Sequence, residues 1–250
     1  MKVSLLLFFS FVAGLLVRAA GQMIINRYPV EEAPEAPFAV ERARMVEVQL
    51  AAPSRGIRDK RVLHVMGNVP RHEFVPPARR ARAYSDSALP IGYNQTISQP
   101  YIVAFMTEIL ELKPESRVLE VGTGSGYQSA VLSGLVSKVF TIEIVPELAA
   151  RAKADLQRLG YTNVDCRTGD GFAGLPEEAP FDAILVTCAA DQVPPPLEAQ
   201  LKPGGRMIIP LNDGSGQTLF LVCKDDLGIS KKPVLPVRFV PMRRSKQTER

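Results

Sequence analysis

Three carboxylates and three glycines in this chain have the types and spacing to hold a nucleoside. Glu120 closes the apolar run Val118-Leu119, and Val121-Gly122-Thr123-Gly124-Ser125-Gly126-Tyr127 comes next. An apolar run that ends in an acid and then alternating glycines reads as a buried parallel strand, a tight turn and a helix start. Glycine suits that turn because the backbone must take positive φ and approach a ligand more closely than a Cβ allows. Glu143 ends the next apolar run, Val139-Phe140-Thr141-Ile142, at the distance where nucleoside-binding folds place the acid that grips ribose hydroxyls. Asp170, within Gly169-Asp170-Gly171, ends a third run and is placed to accept a hydrogen bond from an adenine amino group. Asp-Gly is also a favoured turn pair, so a turn is the alternative reading there.

The glycine spacing is G-x-G-x-G, not the G-x-G-x-x-G that seats a pyrophosphate on a helix. Three converging carboxylates would repel phosphates, but they suit a phosphate-free ligand carrying a positive sulfonium. The expected cofactor is therefore S-adenosylmethionine, bound by Glu120, Gly122, Gly124, Gly126, Glu143, Asp170 and Gly171. A nicotinamide-dependent oxidoreductase fits this spacing less well.

The elements that must position these groups are legible as alternating units. Strands are expected at Val118–Val121, Val139–Ile142, Val164–Thr168, Phe181–Val186, Arg206–Ile209, Leu219–Lys224 and Val237–Val240, with helices at Tyr127–Val136 and Pro146–Leu159. This implies a doubly wound, Rossmann-like α/β domain over residues 99–242, with a mostly parallel sheet and helices on both faces. Ligands of such domains bind at the carboxyl ends of the strands, where Glu120, Glu143, Asp170 and Thr187 fall. Residues 39–98 read as an N-terminal helical cap and substrate loop. Within them, Arg71–Ser98 is irregular and mixes aromatic and polar residues, and loops of that length in compact domains usually carry function. Pro100 opens a helix, so Ser98 stands at its mouth; capping that helix, at about 1 kcal/mol, is one reading of the serine.

Composition narrows the classes. The net charge is +4, but residues 231–250 hold seven basic residues against one acidic, and Lys2 and Arg18 add two more, which leaves a body of about −4. No basic nucleic-acid face is supported, and the tail from 243 to 250 reads as a solvated end. Cys166, Cys188 and Cys223 lack C-x-x-C spacing, and His64 and His72 stand apart from the glycine strand, so neither a disulfide framework nor a metal site is indicated. Residues 1–21 have the build of a signal peptide, short for a stable membrane span; a mis-assigned start or an unprocessed apolar leader is the alternative. Residues 22–38 read as a Pro/Glu-rich linker.

The chain resembles the bacterial protein-L-isoaspartate O-methyltransferases. The resemblance rests on His72-Glu73-Phe74-Val75-Pro76, Thr96-Ile97-Ser98-Gln99-Pro100-Tyr101, Val118 to Gln128 and Thr141-Ile142-Glu143. It continues through Gly169-Asp170-Gly171, Phe181 to Thr187, Leu201-Lys202-Pro203-Gly204-Gly205 and Val237-Arg238-Phe239-Val240-Pro241, covering roughly residues 45–242. The Thr-Ile-Ser-Gln-Pro segment is close to specific for this family, whereas the glycine turn is widely shared. The resemblance implies methylation of the α-carboxyl of L-isoaspartyl residues in damaged proteins and peptides, with Ser98 as the active-site residue. Tyr84, Asp86, Thr96, Ile97, Gln99 and Val240 are the further substrate-cleft candidates. It also implies a cytoplasmic monomer, in tension with the leader, which argues for export. A methyltransferase with a different carboxylate substrate and a non-catalytic binder of damaged chains are the alternatives.

Overall fold

The computed structural model describes residues 38–214 and 216–244. The expectations placed on residues 1–21, on most of the linker and on the last six residues of the tail lie outside the described residues.

The cap begins with α1 (Ala39–Arg44), a wider π-type turn at Met45–Leu50 and α2 (Lys60–Asn68). Asp59 caps α2 by accepting the Arg61 backbone N–H at 2.8 Å, and Val62, Val65 and Met66 form its buried face. The segment after it is more ordered than its sequence suggests. Two short 3-10 turns, Arg71–Phe74 and Pro77–Arg82, lead into a hairpin of β1 (Leu89–Gly92) and β2 (Gln95–Ile97). Next comes α3 (Pro100–Glu108) with proline in its first turn, and its N-cap residue is Gln99, with no side-chain capping bond.

The sheet is built from β3 (Arg117–Val121), β4 (Lys138–Glu143), β5 (Val164–Thr168), β6 (Phe181–Val186), β7 (Leu201–Asn212), β8 (Gln217–Asp225) and β9 (Gly228–Val237). Their spatial order is β5-β4-β3-β6-β7-β8-β9. The first five are parallel, and β8 and β9 run antiparallel at one edge. The chain order reverses direction between β3 and β6, which opens the crevice where doubly wound sheets bind ligands. The apolar runs make β3, β4 and β6 almost wholly buried, as a sheet covered on both faces requires. Helices α4 (Tyr127–Ser133), α5 (Pro146–Arg158) and α6 (Pro195–Gln200) connect the strands.

One strand lies elsewhere than expected. The last is Gly228–Val237, not Val237–Val240. The stretch after Val237 leaves the sheet and crosses to the β6 end, where the Ala189 N–H donates to the Val240 carbonyl at 2.8 Å and the Met242 N–H to the Ala189 carbonyl at 2.7 Å. Among the described residues no helix is long and apolar enough to cross a membrane.

Candidate active site

A cavity of about 300 Å³ opens at the carboxyl ends of β3, β4 and β6. Its floor is the turn from β3 into α4. Gly122, Gly124 and Gly126 all take positive φ, at 95°, 54° and 86°. The turn is tied to the sheet at two points, the Gly122 N–H donating to the Ile142 carbonyl at 2.9 Å and the Thr123 and Thr141 hydroxyls meeting at 2.7 Å, and it is closed on itself by the Gly126 N–H donating to the Thr123 carbonyl at 2.8 Å. Thr187, just beyond β6, donates its hydroxyl to the Gly122 carbonyl at 2.6 Å. At Gly122 an added Cβ would overlap the Thr187 oxygen, so glycine is required by space as well as by φ.

The expected acids divide. Glu143 lines the cavity, its Oε2 accepting the Gly124 N–H at 2.8 Å and its Oε1 the Val145 N–H at 3.0 Å. Each oxygen keeps a lone pair for ribose hydroxyls. Glu120 also lines the cavity but is fully buried. Ser129 donates to its Oε2, while Oε1 has no hydrogen-bond partner among the described residues. Burial pushes the Glu120 carboxyl up to about 8, with Glu143 adding to the rise, so at neutral pH it is a neutral acid and not a second anion. Asp170 departs from the expectation. Its Oδ1 accepts the Phe172 N–H at 2.9 Å in a local turn, and it lines a separate hollow with Phe172, Asp191 and Arg244. Gly171 does line the main cavity. The turn reading of Asp-Gly describes the side chain as placed, because a backbone donor two residues on satisfies the carboxylate locally.

The neutral Glu120 has a thermodynamic consequence. Its folded-state pKa lies above the ordinary 4.5, so the folded state binds the extra proton and wild-type stability falls as pH rises from about 4.5 toward 8. Glu120→Gln removes that titration. The variant's Tm relative to wild type is expected to climb between pH 5 and about pH 8 in thermal melts and to level off above it; a constant difference would mean that Glu120 is already charged in the fold.

The opposite wall is the β1–β2 hairpin and the residues that lead from it into α3. Thr96, Ile97, Ser98 and Gln99 all line the cavity. The Ser98 hydroxyl makes no hydrogen bond among the described residues, so the capping role is not realised. Gln99 is held from behind, its Nε2 donating to Asp86 at 2.8 Å, and Asp86 is paired with Arg55. Asp86 and Tyr84 do not line the cavity, contrary to their place among the cleft candidates. Tyr84 is buried, its hydroxyl 2.8 Å from His72 Nδ1, and it knits the cap together. Both residues buttress the wall and leave its face to their neighbours.

The roof is the end of β9 and the segment after it. Residues 236–243 line the cavity, Val240 among them, and the Phe239 N–H is anchored on Gln217 Oε1 at 2.6 Å. This brings Arg238 and Arg243 to the cavity, although Arg243 reads as part of the solvated tail and Arg238 as part of a strand. The signal that could have placed Arg238 was its position inside Val-Arg-Phe-Val-Pro, a motif read for its strand and not for its charge. Thr187 and Cys188 complete the lining at the β6 end. Among the described residues the acidic and basic side chains of the lining are Glu143 and the protonated Glu120 on the strand ends and Arg238 and Arg243 on the roof.

Comparison with known proteins agrees with this geometry. Residues 44–247 match the family described as protein-L-isoaspartate(D-aspartate) O-methyltransferase. A protein-L-isoaspartate O-methyltransferase of Synechococcus sp. (strain JA-2-3B'a(2-13)) is 54% identical over 213 residues, covering 82% of this chain and 86% of that one. Among solved structures, a protein-L-isoaspartate O-methyltransferase superimposes with a TM-score of 0.72 at 32% identity, covering 81% of this chain and 65% of that longer one. A Plasmodium falciparum protein of the same description, in complex with S-adenosyl-L-homocysteine, gives a TM-score of 0.71 at 26% identity and covers 82% of this chain and 99% of that one. The glycine turn, Glu143 and the wall from Thr96 to Gln99 stand in one cavity, and the match spans nearly every described residue: the chain belongs to the protein-L-isoaspartate(D-aspartate) O-methyltransferase family.

Proposed function

We propose that the chain transfers a methyl group from S-adenosylmethionine to the α-carboxylate of L-isoaspartyl residues in damaged proteins and peptides. The products are S-adenosylhomocysteine and a methyl ester, which closes to a succinimide without the enzyme. The observation that carries this reading is the shared cavity: a nucleoside-type floor with Glu143, and a wall presenting the Ser98 hydroxyl, unengaged among the described residues.

The residues fit the cofactor. Gly122 and Gly124 clear space for close approach, Glu143 has acceptor capacity toward ribose hydroxyls, and Glu120 Oε1 is buried without a partner among the described residues. When bound, S-adenosylmethionine supplies an electrophilic methyl on a sulfonium. The chain's own groups then have two tasks. The first is to hold a carboxylate in line, for which Ser98 donates its hydroxyl to one carboxylate oxygen. The second is to keep water out, which the hairpin and the roof do by closing two sides of the site. No base is needed, because an α-carboxylate is already ionised at neutral pH. Cys188, the nearest candidate at the β6 end, is held as a thiol, its pKa pushed up to about 12 by burial.

Charge placement supports an anionic acceptor: the Glu143 carboxylate lies on the strand-end side and the arginines on the roof, so a cationic donor and an anionic acceptor each meet an opposite charge. Arg238→Gln combined with Arg243→Gln is expected to raise KM for an isoaspartyl peptide about tenfold and to abolish its salt dependence, with calorimetric affinity for S-adenosylhomocysteine unchanged. Unchanged KM would remove the roof from acceptor recognition.

The direct test of the activity is methyl transfer to a matched pair of peptides differing only in an isoaspartyl or aspartyl linkage. Strong preference for the isoaspartyl member is expected, and equal transfer would favour a general carboxyl methyltransferase. We further assign the enzyme to the cytoplasm, where its methyl donor is made, as a monomer. Mass spectrometry of the mature amino terminus tests this, since a cleaved leader would indicate export.

A further inference from the structure

Arg71 is the largest fully buried side chain among the described residues and has 0% exposure. A buried guanidinium is ordinarily matched by a carboxylate, yet among the described residues Arg71 forms no ion pair. Its Nε donates to the Ala83 carbonyl at 2.7 Å and its Nη2 to the Ser98 carbonyl at 2.6 Å. Its plane lies over the Tyr127 ring, 4.7 Å from the centroid, and Nη1 has no hydrogen-bond partner among the described residues. Tyr127 is the first residue of α4, directly after Gly126, and it lines the cavity. One side chain therefore touches the main chain of the residue carrying the acceptor-side hydroxyl and the first residue beyond the cofactor turn.

We propose that Arg71 is a positioning residue for the methyl transfer: its guanidinium locks the Ser98 main chain against the start of α4 and so sets the gap between the Ser98 hydroxyl and the cofactor turn. The inference rests on the transferase reading above and deepens it. The contacts are rigid for a physical reason. A planar fork donates in fixed directions and stacks on an aromatic face at the same time, which a lysine ammonium cannot reproduce. Near-attack geometry is sensitive enough that a displacement of about 1 Å costs on the order of 100-fold in rate.

The test is a double-mutant cycle between Arg71→Lys and Ser98→Ala in the full chain, read by kcat, KM and S-adenosylhomocysteine affinity. Arg71→Lys in the wild-type background is expected to lower kcat about 10- to 100-fold, with cofactor affinity held within about threefold. In the Ser98→Ala background the same change should lower kcat less than twofold, because the hydroxyl that Arg71 positions is already gone. Equal losses in both backgrounds, or an unchanged kcat, would overturn the proposal, since a purely structural role gives additive effects. Should Arg71→Lys fail to fold, 15N-arginine NMR of the wild-type chain decides. The Arg71 Nε–H is expected to be protected from exchange and to shift when an isoaspartyl peptide is added; rapid exchange or no shift would overturn it. If the wild-type chain transfers no methyl group, the repair reading falls and the positioning role falls with it, whereas transfer by the wild type with equal losses in both backgrounds overturns the positioning role alone.

Discussion

Gly122→Ala is expected to abolish measurable binding of S-adenosylmethionine while most of the sheet stays folded. Two costs fall on one atom. The residue sits at φ 95°, where a Cβ is strained by roughly 1–2 kcal/mol, and the added carbon would run into the Thr187 hydroxyl, itself fixed on the Gly122 carbonyl at 2.6 Å. Relieving the overlap means giving up the Thr187 hydroxyl's bonds to the Val121 and Gly122 carbonyls or shifting the turn itself. Calorimetry with S-adenosylhomocysteine should show affinity reduced by more than about 100-fold, which corresponds to roughly 3 kcal/mol. Adding Thr187→Ala removes the overlap but not the strain, so the double variant should recover affinity in part. Full recovery would show that the backbone conformation is irrelevant, and undiminished binding by the single variant would remove the turn from the cofactor site.

Ser98→Ala is expected to separate turnover from cofactor affinity. Its hydroxyl supports no part of the described structure: Gln99 is the N-cap residue of α3, and Arg71 holds the Ser98 carbonyl, not the side chain. Loss of the hydroxyl should therefore leave Tm within about 1 °C and cofactor affinity within about twofold. The effect should appear in kcat with an isoaspartyl peptide, at about 100-fold, the scale expected when an oriented reactant loses its orienting contact. A fall in Tm matched by an equal fall in cofactor affinity would instead return Ser98 to a structural role.

Features of the fold are legible in the sequence to the extent that their signals are local. The buried strands β3, β4 and β6 are continuous apolar runs because the sheet covers both their faces, and those runs mark each strand within a residue or two. The three glycines announce positive φ because little else tolerates it. β9 is not legible: Lys231, Lys232, Pro233 and Pro236 give it no apolar alternation, which is permissible only because it is an edge strand paired on one side. The protonation of Glu120 is equally hidden, since it depends on burial between β4 and α4 and not on neighbours in the chain. Strand-end acids and Asx turns share a sequence signature, so the placing of Asp170, whose Oδ1 accepts the Phe172 N–H at 2.9 Å, is not legible from the chain alone. Arg71 carries no local signal, because its partners lie 12, 27 and 56 residues away.

The arrangement of donor and acceptor is tested most directly by the structure of the chain with S-adenosylhomocysteine and an isoaspartyl peptide bound together. The nucleoside is expected against Glu143 and the glycine turn, and one oxygen of the peptide α-carboxylate about 2.5–3.0 Å from Ser98 Oγ, pointing at the cofactor sulfur. A cofactor seated away from the glycine turn, or a peptide carboxylate out of reach of Ser98, would contradict that arrangement.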